Sequence, residues 1–146
     1  PAGGAHLHHV RVASLIALGW SGMVHLTADA LGLAGPLGER ATLLQISTGF
    51  CAPCRAVRGL LTRVAQTTTG VRHVEIDVAH HPELAAHLAI TQTPTTFLLG
   101  PDGAILARRE GVPRLAAVRD LLDRLTPASG QPKMTKMSQY PPPPAT

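Results

Sequence analysis

The stretch "TGFCAPCRAVRGLL", residues 48–61, holds both cysteines of the chain, three positions apart with a proline between them. A disulfide across so short a loop gains little stability from restricting the unfolded chain. We therefore expect Cys51 and Cys54 to be present for their chemistry. Beyond Cys51 the apolar residues recur at helical spacing: Cys54, Val57, Leu61 and Val64. This spacing predicts a helix that begins at the motif.

The sequence around the motif alternates strand and helix patterns. "ATLLQIST" (41–48) is typical of a buried strand that runs directly into the motif, and "VRHVEIDV" (71–78) alternates apolar and polar residues. Pro82 suits the start of a second helix, "GPDG" (100–103) a turn between two strands, and Pro113 the start of a last helix. This order predicts an α/β fold, with a mixed central β-sheet and helices on both faces.

A Cys-x-x-Cys motif between a strand and a helix favours redox chemistry. The helix N-terminus directs free N–H groups and a positive dipole end at the first sulfur, which stabilises the thiolate of Cys51. Cys54 follows one turn further in, and Pro53 fits the first helical turn because its missing N–H is no loss there. The implied mechanism is thiol–disulfide exchange, in which Cys51 attacks a disulfide and Cys54 resolves the mixed disulfide.

From about residue 24 to residue 126 the chain resembles thioredoxin, and especially the small thioredoxin-like proteins often tethered to bacterial membranes. "FCAPC" (50–54) stands where the family has its Trp-Cys-Gly-Pro-Cys active site, and "TPT" (93–95) stands at the family's cis-proline. Gly103 and Gly111 match the glycines that the family has in its hairpin and before its last helix. The resemblance implies a thioredoxin-like fold and a thiol–disulfide oxidoreductase of the protein-disulfide reductase type, which needs no cofactor.

The resemblance also implies which residues meet a substrate and which partners act with them. The bond between Thr93 and Pro94 is expected to be cis, with the Thr93 backbone free to pair with an extended substrate chain. The other expected substrate-binding residues flank the cysteines: Phe50, Ala52 and Pro53. We expect a monomer that exchanges with protein disulfides and dithiols and draws on an unidentified electron donor.

Four positions depart from the thioredoxin pattern. Gln45 replaces the family's buried aspartate and cannot titrate, Phe50 and Ser47 replace two tryptophans, and His73 replaces a buried lysine. His73 and Glu75 lie on the polar side of the 71–78 strand. We therefore hypothesise that one of these two residues handles the proton of Cys54.

Other functions are weaker alternatives. The same fold could hold a client without redox cycling, or deliver copper with the cysteine pair as soft ligands. Two cysteines leave a zinc site short of two ligands, and "HLHH" (6–9) is too local a cluster to predict a dedicated metal site. Of the net charge of +4, only +2 lies between residues 37 and 126, where ten arginines face eight acidic residues. The rest lies toward the two ends of the chain. The sequence contains no basic stripe with interleaved aromatic residues, which argues against nucleic-acid binding.

The two ends of the chain differ from the central domain. Residues 1–23 form a poorly defined segment, and the apolar stretch 12–35 fits a membrane anchor, a signal remnant or part of the domain. In the last reading, Val24 to Thr27 is an edge strand and Thr27 caps a short helix. Two locations stay open, cytoplasmic or membrane-anchored, in a bacterium as the resemblance implies. The Pro-rich residues 127–146 are expected to be a disordered tail.

Overall fold

The fold is organised around a four-stranded mixed β-sheet. The computed structural model describes residues 24–125. The strands are β1 (Ala41–Ser47), β2 (Val71–Asp77), β3 (Thr95–Leu99) and β4 (Ile105–Glu110), in the order β2-β1-β3-β4. β1 runs parallel to β2 and antiparallel to β3, and β3 runs antiparallel to β4. The predicted mixed sheet is confirmed.

Three helices occur in the predicted order. They are α1 (Ala52–Thr67), α2 (Pro82–His87) and α3 (Leu115–Arg124). α1 and α2 connect strands, and α3 follows β4. Pro53 and Pro82 lie in the first turns of their helices, as expected. Pro113 does not open α3, because Arg114 keeps an extended backbone (φ −77°, ψ 137°) and serves as the N-cap.

Apolar layers cover both faces of the sheet. On one face α1 and α3 pack against β1 and β3, and their buried residues include Val57, Leu61, Val64, Val118 and Leu122. On the other face α2 and the segment before β1 contribute Leu84, Leu88, Leu26 and Leu31. All seven residues of β1 are buried as a result. β1 is the strand that leads to Cys51, so the motif leaves the most enclosed part of the sheet.

The segment before β1 differs from its expected structure. In place of an edge strand over Val24 to Thr27, only a single bridge joins His25 to Ala104. The chain then turns instead of forming a helix: the Thr27 hydroxyl accepts from Ala30 N at 3.2 Å, and Gly32 follows at φ +65°. A glycine in the left-handed region ends a turn before a full helix can develop.

Some expectations concern parts of the chain that are not described. The anchor or signal expected before residue 24 and the disordered tail expected over 127–146 lie outside the described residues. Within 24–125, none of the three helices has the length and apolar character needed to cross a bilayer.

Two glycines should respond in opposite ways to alanine. Gly59 lies inside α1, is exposed, and has open space where a Cβ would stand, so Gly59→Ala should stabilise the protein by about 0.5–1 kcal/mol. Gly103 has φ +86°, and a Cβ there would meet Leu26 O at 2.5 Å. Gly103→Ala should therefore destabilise by more than about 1 kcal/mol. Urea unfolding of both variants measures the difference, and shifts of the same sign would contradict this account.

Candidate active site

The two cysteines form a disulfide at the start of α1. Their Cα atoms are 5.1 Å apart, within the range that a disulfide spans without backbone movement. Cys51 is the N-cap residue, and its Sγ accepts a hydrogen bond from Cys54 N at 3.1 Å. Cys51 is half-buried and Cys54 is buried, with 1 % of its surface exposed. A substrate can therefore reach the first sulfur more easily than the second.

The helix N-terminus favours negative charge on the Cys51 sulfur. The free N–H groups of the first turn of α1 and the positive end of its dipole lie at this sulfur. The first turn carries no acidic residue that would oppose a thiolate there. Arg55, one turn further on, is exposed and adds little. The backbone at the start of α1 therefore favours negative charge at Cys51 more than any side chain of the first helical turn does.

The residues that flank the cysteines face solvent. Phe50 is completely exposed, although an aromatic ring usually buries much of its surface. Ala52 and Pro53 are also exposed, in the first turn of α1. These three residues form an apolar rim around Cys51, where the resemblance to thioredoxin implies substrate contact.

The loop before β3 lies beside the motif. The Thr93–Pro94 peptide bond is cis, as the resemblance implied, and Pro94 is buried while Thr93 is half-buried. The Thr93 hydroxyl lies 3.3 Å from the hydroxyl of Thr48, three residues before Cys51. The tertiary fold thus brings together two segments that are more than 40 residues apart.

Gln45 lies at the centre of a buried polar network under Cys54. Its side chain is fully buried on β1, on the face that α1 covers. The Nε2 group donates to Cys54 O at 2.8 Å and to Ser47 Oγ at 2.9 Å, and lies 3.5 Å from Glu75 Oε1. The Oε1 atom lies 3.0 Å from His73 Nε2. Three of the four departures from the family pattern, Gln45, Ser47 and His73, therefore meet Glu75 at one amide, whereas Phe50 lies outside this network.

The partners of Gln45 determine where His73 carries its hydrogen. Cys54 O can only accept, so the Gln45 NH₂ group must face it and the Gln45 Oε1 must face His73. His73 Nε2 must then donate, and in the neutral ring Nδ1 accepts from the Thr62 hydroxyl at 3.3 Å. Burial lowers the pKa of His73, against the opposing charge of Glu75. His73 is accordingly neutral at pH 7.

Glu75 is ionised and paired with an arginine of α1. Arg58 donates from Nε at 2.5 Å and from Nη2 at 2.8 Å to the two carboxylate oxygens. These hydrogen bonds lower the pKa of Glu75, more than its partial burial raises it, and Ser47 contributes in the same direction. Within residues 24–125, neither Glu75 nor His73 hydrogen-bonds a cysteine sulfur. Both connect with Cys54 through Gln45, at the carbonyl oxygen.

Several residues of the site are missing from the sequence-based prediction. Arg58 is not among the site residues predicted from the sequence, and Ser47 appears there only as a substituted tryptophan position. Helical periodicity places Arg58 outside the core, but no local pattern shows that β2 brings Glu75 opposite it. Among the described residues, no group of three or more histidine, cysteine or acidic side chains could hold a metal ion.

The lowered pKa of His73 predicts a stability loss on acidification. Because the folded-state pKa lies below the ordinary value of 6.5, the unfolded chain binds this proton first. The contribution is full above pH 6.5 and is lost as the pH falls toward the lower folded-state value. The variant His73→Gln should thus lose less stability than wild type between pH 7.5 and 5.5 in urea unfolding. The variant His87→Gln, at an exposed position, supplies a control. If the free energy of unfolding changed equally with pH in wild type, His73→Gln and His87→Gln, this linkage would be disproved.

A family comparison agrees with this geometry. Residues 37–124 match the thioredoxin family model, and this range includes the cysteine motif, the Gln45 network and Pro94. Mitochondrial thioredoxin-3 of Saccharomyces cerevisiae is 32% identical over 74 residues. That alignment covers 51% of this chain and 58% of the yeast protein, so the chain spans little more than half of this relative.

Solved structures give the same assignment. The oxidised form of yeast mitochondrial thioredoxin 3 has a TM-score of 0.52 and 26% identity, covering 60% of this chain and 80% of that one. A structure on how the thiol of yeast mitochondrial 1-Cys peroxiredoxin is resolved by glutathione and thioredoxin systems has a TM-score of 0.52, 25% identity and the same coverages. A Halobacterium salinarum thioredoxin mutant shares the fold, with a TM-score of 0.56 and 23% identity over 63% of this chain and 80% of that one. This chain belongs to the thioredoxin family.

Proposed function

We propose that this chain is a thiol–disulfide oxidoreductase that reduces disulfides of client proteins. The observation that carries the proposal is the Cys51–Cys54 disulfide at the N-cap of α1, with the more accessible sulfur under the helix N-terminus. A structural crosslink needs no such placement. A reactive thiolate does, because it depends on a lowered pKa and on access.

The reaction proceeds by two exchanges. The Cys51 thiolate attacks one sulfur of a client disulfide, which forms a mixed disulfide and releases one client thiolate. The Cys54 thiolate then attacks Cys51 Sγ, which releases the second client thiolate and leaves the Cys51–Cys54 disulfide. The client gains two electrons, and the two cysteines lose them. A dithiol donor, not identified by the sequence, returns the pair to its reduced form.

Client binding uses the exposed rim and the cis-proline loop. Phe50, Ala52 and Pro53 supply apolar contact beside Cys51, while Thr93 offers backbone groups for pairing with an extended chain. Such pairing reads the client's backbone rather than its sequence, which suits a protein with many clients. The similar yeast structure concerning a peroxiredoxin thiol supports protein thiols as substrates.

As the acceptor of the Cys54 proton in the reduced protein we favour Glu75 over His73; in the disulfide form, over the part of the chain that the structure describes, neither residue hydrogen-bonds a cysteine sulfur. His73 Nε2 already carries a hydrogen toward Gln45, and its other nitrogen faces Thr62. Glu75 is an ionised acceptor whose Oε1 lies 3.5 Å from Gln45 Nε2, on the side of the amide that meets Cys54. Its lowered pKa makes it a weak base, so a slow resolving step is expected.

The reduction potential of the pair tests the direction of electron flow. A reductase should equilibrate near the roughly −270 mV of thioredoxin and far from the roughly −120 mV of a disulfide-donating oxidant. Thiol labelling after incubation in dithiothreitol redox buffers measures the value. A potential near that of the oxidant would reverse the proposed direction, and no two-electron equilibrium would favour a binding module.

Single cysteine variants test the roles of the two thiols. Cys54→Ser should accumulate a mixed disulfide between Cys51 and a client, because the resolving attack is missing. Cys51→Ser should form none, since Cys54 is buried. Mass spectrometry of both variants after incubation with insulin detects the adduct. Equal adduct formation by the two variants would contradict the assignment.

The proton assignment predicts a difference between two neutral variants. Glu75→Gln keeps the shape of the side chain but replaces the ionisable carboxylate with an amide that cannot take up the proton, so it should change the pH profile of the resolving step. His73→Gln should leave that profile nearly unchanged. Stopped-flow exchange between pH 5 and 9 measures both, and an unaltered profile in Glu75→Gln excludes a proton role for this carboxylate.

A further inference from the structure

One arginine of β4 fastens the loop between α2 and β3. This loop, residues 88–94, ends at the cis-proline and carries Thr93. At its start, Ala89 adopts φ +49°, a left-handed conformation uncommon outside glycine. The last carbonyls of a helix have no partner within the helix. Here Leu88 O accepts from Arg108 Nη1 at 2.6 Å, and Ala89 O accepts from Nη2 at 2.9 Å.

The Arg108 guanidinium is itself held on two sides. It lies over the buried Phe97 ring, with its central carbon 5.3 Å from the ring centroid. Phe97, on β3, is the residue that pairs with Arg108 in the sheet. Its Nη2 also donates to Glu110 Oε1 at 3.1 Å. A planar guanidinium can make these contacts together because its donors form a fixed fork. Arg108 is therefore an ordered connection between the sheet and the start of the loop.

The far end of the loop is fastened to the same strand. Gln92 Nε2 donates to the second oxygen of Glu110 at 3.1 Å, and the Thr95 hydroxyl donates to Gln92 O at 2.7 Å. Glu110 lies opposite Thr95 in the sheet register. We refer to Arg108, Glu110 and Gln92 as the loop brace. The brace holds both ends of the segment that presents Thr93.

We propose that Arg108 is a positioning residue for client recognition, acting through the loop brace. The proposal rests on the proposed function, because it assumes that clients pair with the backbone at Thr93. A loop held in its binding conformation before the encounter avoids the ordering cost when a client binds. Within the described residues no hydrogen bond or ion pair joins the brace to Cys51 or Cys54. Its loss should therefore weaken client binding and leave thiol chemistry intact.

Arg108→Lys tests this role in the full chain, because lysine keeps the charge but lacks the planar fork that reaches two carbonyls and a carboxylate while lying over Phe97. The KM for insulin should rise roughly tenfold, the effect of one lost hydrogen bond to a charged group, with kcat within about twofold of wild type. The rate with the small disulfide 5,5′-dithiobis(2-nitrobenzoate) should change less than about twofold, since that reagent needs no backbone pairing. The pH profile of Cys51 alkylation by iodoacetamide should not move.

The neighbouring arginine supplies a matched control. Arg109 is exposed, and the hydrogen bond of its side chain goes to the Arg108 carbonyl, so Arg109→Lys should behave as wild type in all three assays. Gln92→Ala removes an exposed end of the brace and should raise the KM for insulin in the same direction by a smaller factor. If circular dichroism shows that Arg108→Lys is not folded at the assay temperature, Gln92→Ala decides whether the loop brace contributes to client binding.

The outcomes separate this proposal from the proposed function. An unchanged KM in both Arg108→Lys and Gln92→Ala overturns the loop brace, as does an equal loss of rate with insulin and with the small disulfide. A selective loss with insulin supports it. If wild type undergoes thiol–disulfide exchange with neither substrate, the proposed function is wrong, and the proposed role of the loop brace is then wrong too.

Discussion

The enclosure of β1 is the constraint on which the rest of this structure depends. The strand is paired on both edges and covered on both faces, so its seven residues are all buried. The chain can leave this position only at the end of the sheet, and there it turns directly into α1. Cys51 is the residue at that turn, which makes it the N-cap and exposes its sulfur to the helix N-terminus. A buried strand thus fixes the location of the reactive group more firmly than a flexible loop would.

The same enclosure determines the chemistry beneath the cysteines. Gln45 has no contact with water, so each of its polar atoms needs a protein partner. The amide finds these partners in the Cys54 carbonyl, Ser47 and His73, and all of them are neutral. The charged member of the cluster, Glu75, lies nearer the surface, where Arg58 balances it. An ionised carboxylate at the position of Gln45 would have no such cation beside it and would be costly to bury. Gln45 therefore holds Cys54 by a fixed hydrogen bond, and the ionised group of the network, Glu75, lies nearer the protein surface.

Much of the fold and part of the site follow from local patterns. The periodicity of α1 identified its buried residues, and the strict alternation in β2 separated Val74 and Ile76 from His73 and Glu75. Both patterns work because burial on one face repeats at the period of the element. The segment at 24–31 failed as a prediction because an edge strand depends on a partner far away in sequence, and here pairing stops after one bridge. The prediction that Pro113 opens α3 was wrong for a simpler reason: proline is tolerated in the extended residues before a helix as well as in its first turn.

The sequence by itself determined the reactive pair, the helix that activates it and the order of the secondary structure, since each depends on residues close together along the chain. Only the tertiary structure decided how the site is supported. It brought Thr93 beside Thr48, joined His73 and Glu75 to Cys54 through Gln45, and tied Arg108 to carbonyl groups about twenty residues away. These contacts arise from strand register and from side chains that span neighbouring segments. No periodic pattern encodes them, because their geometry exists only once the sheet has formed.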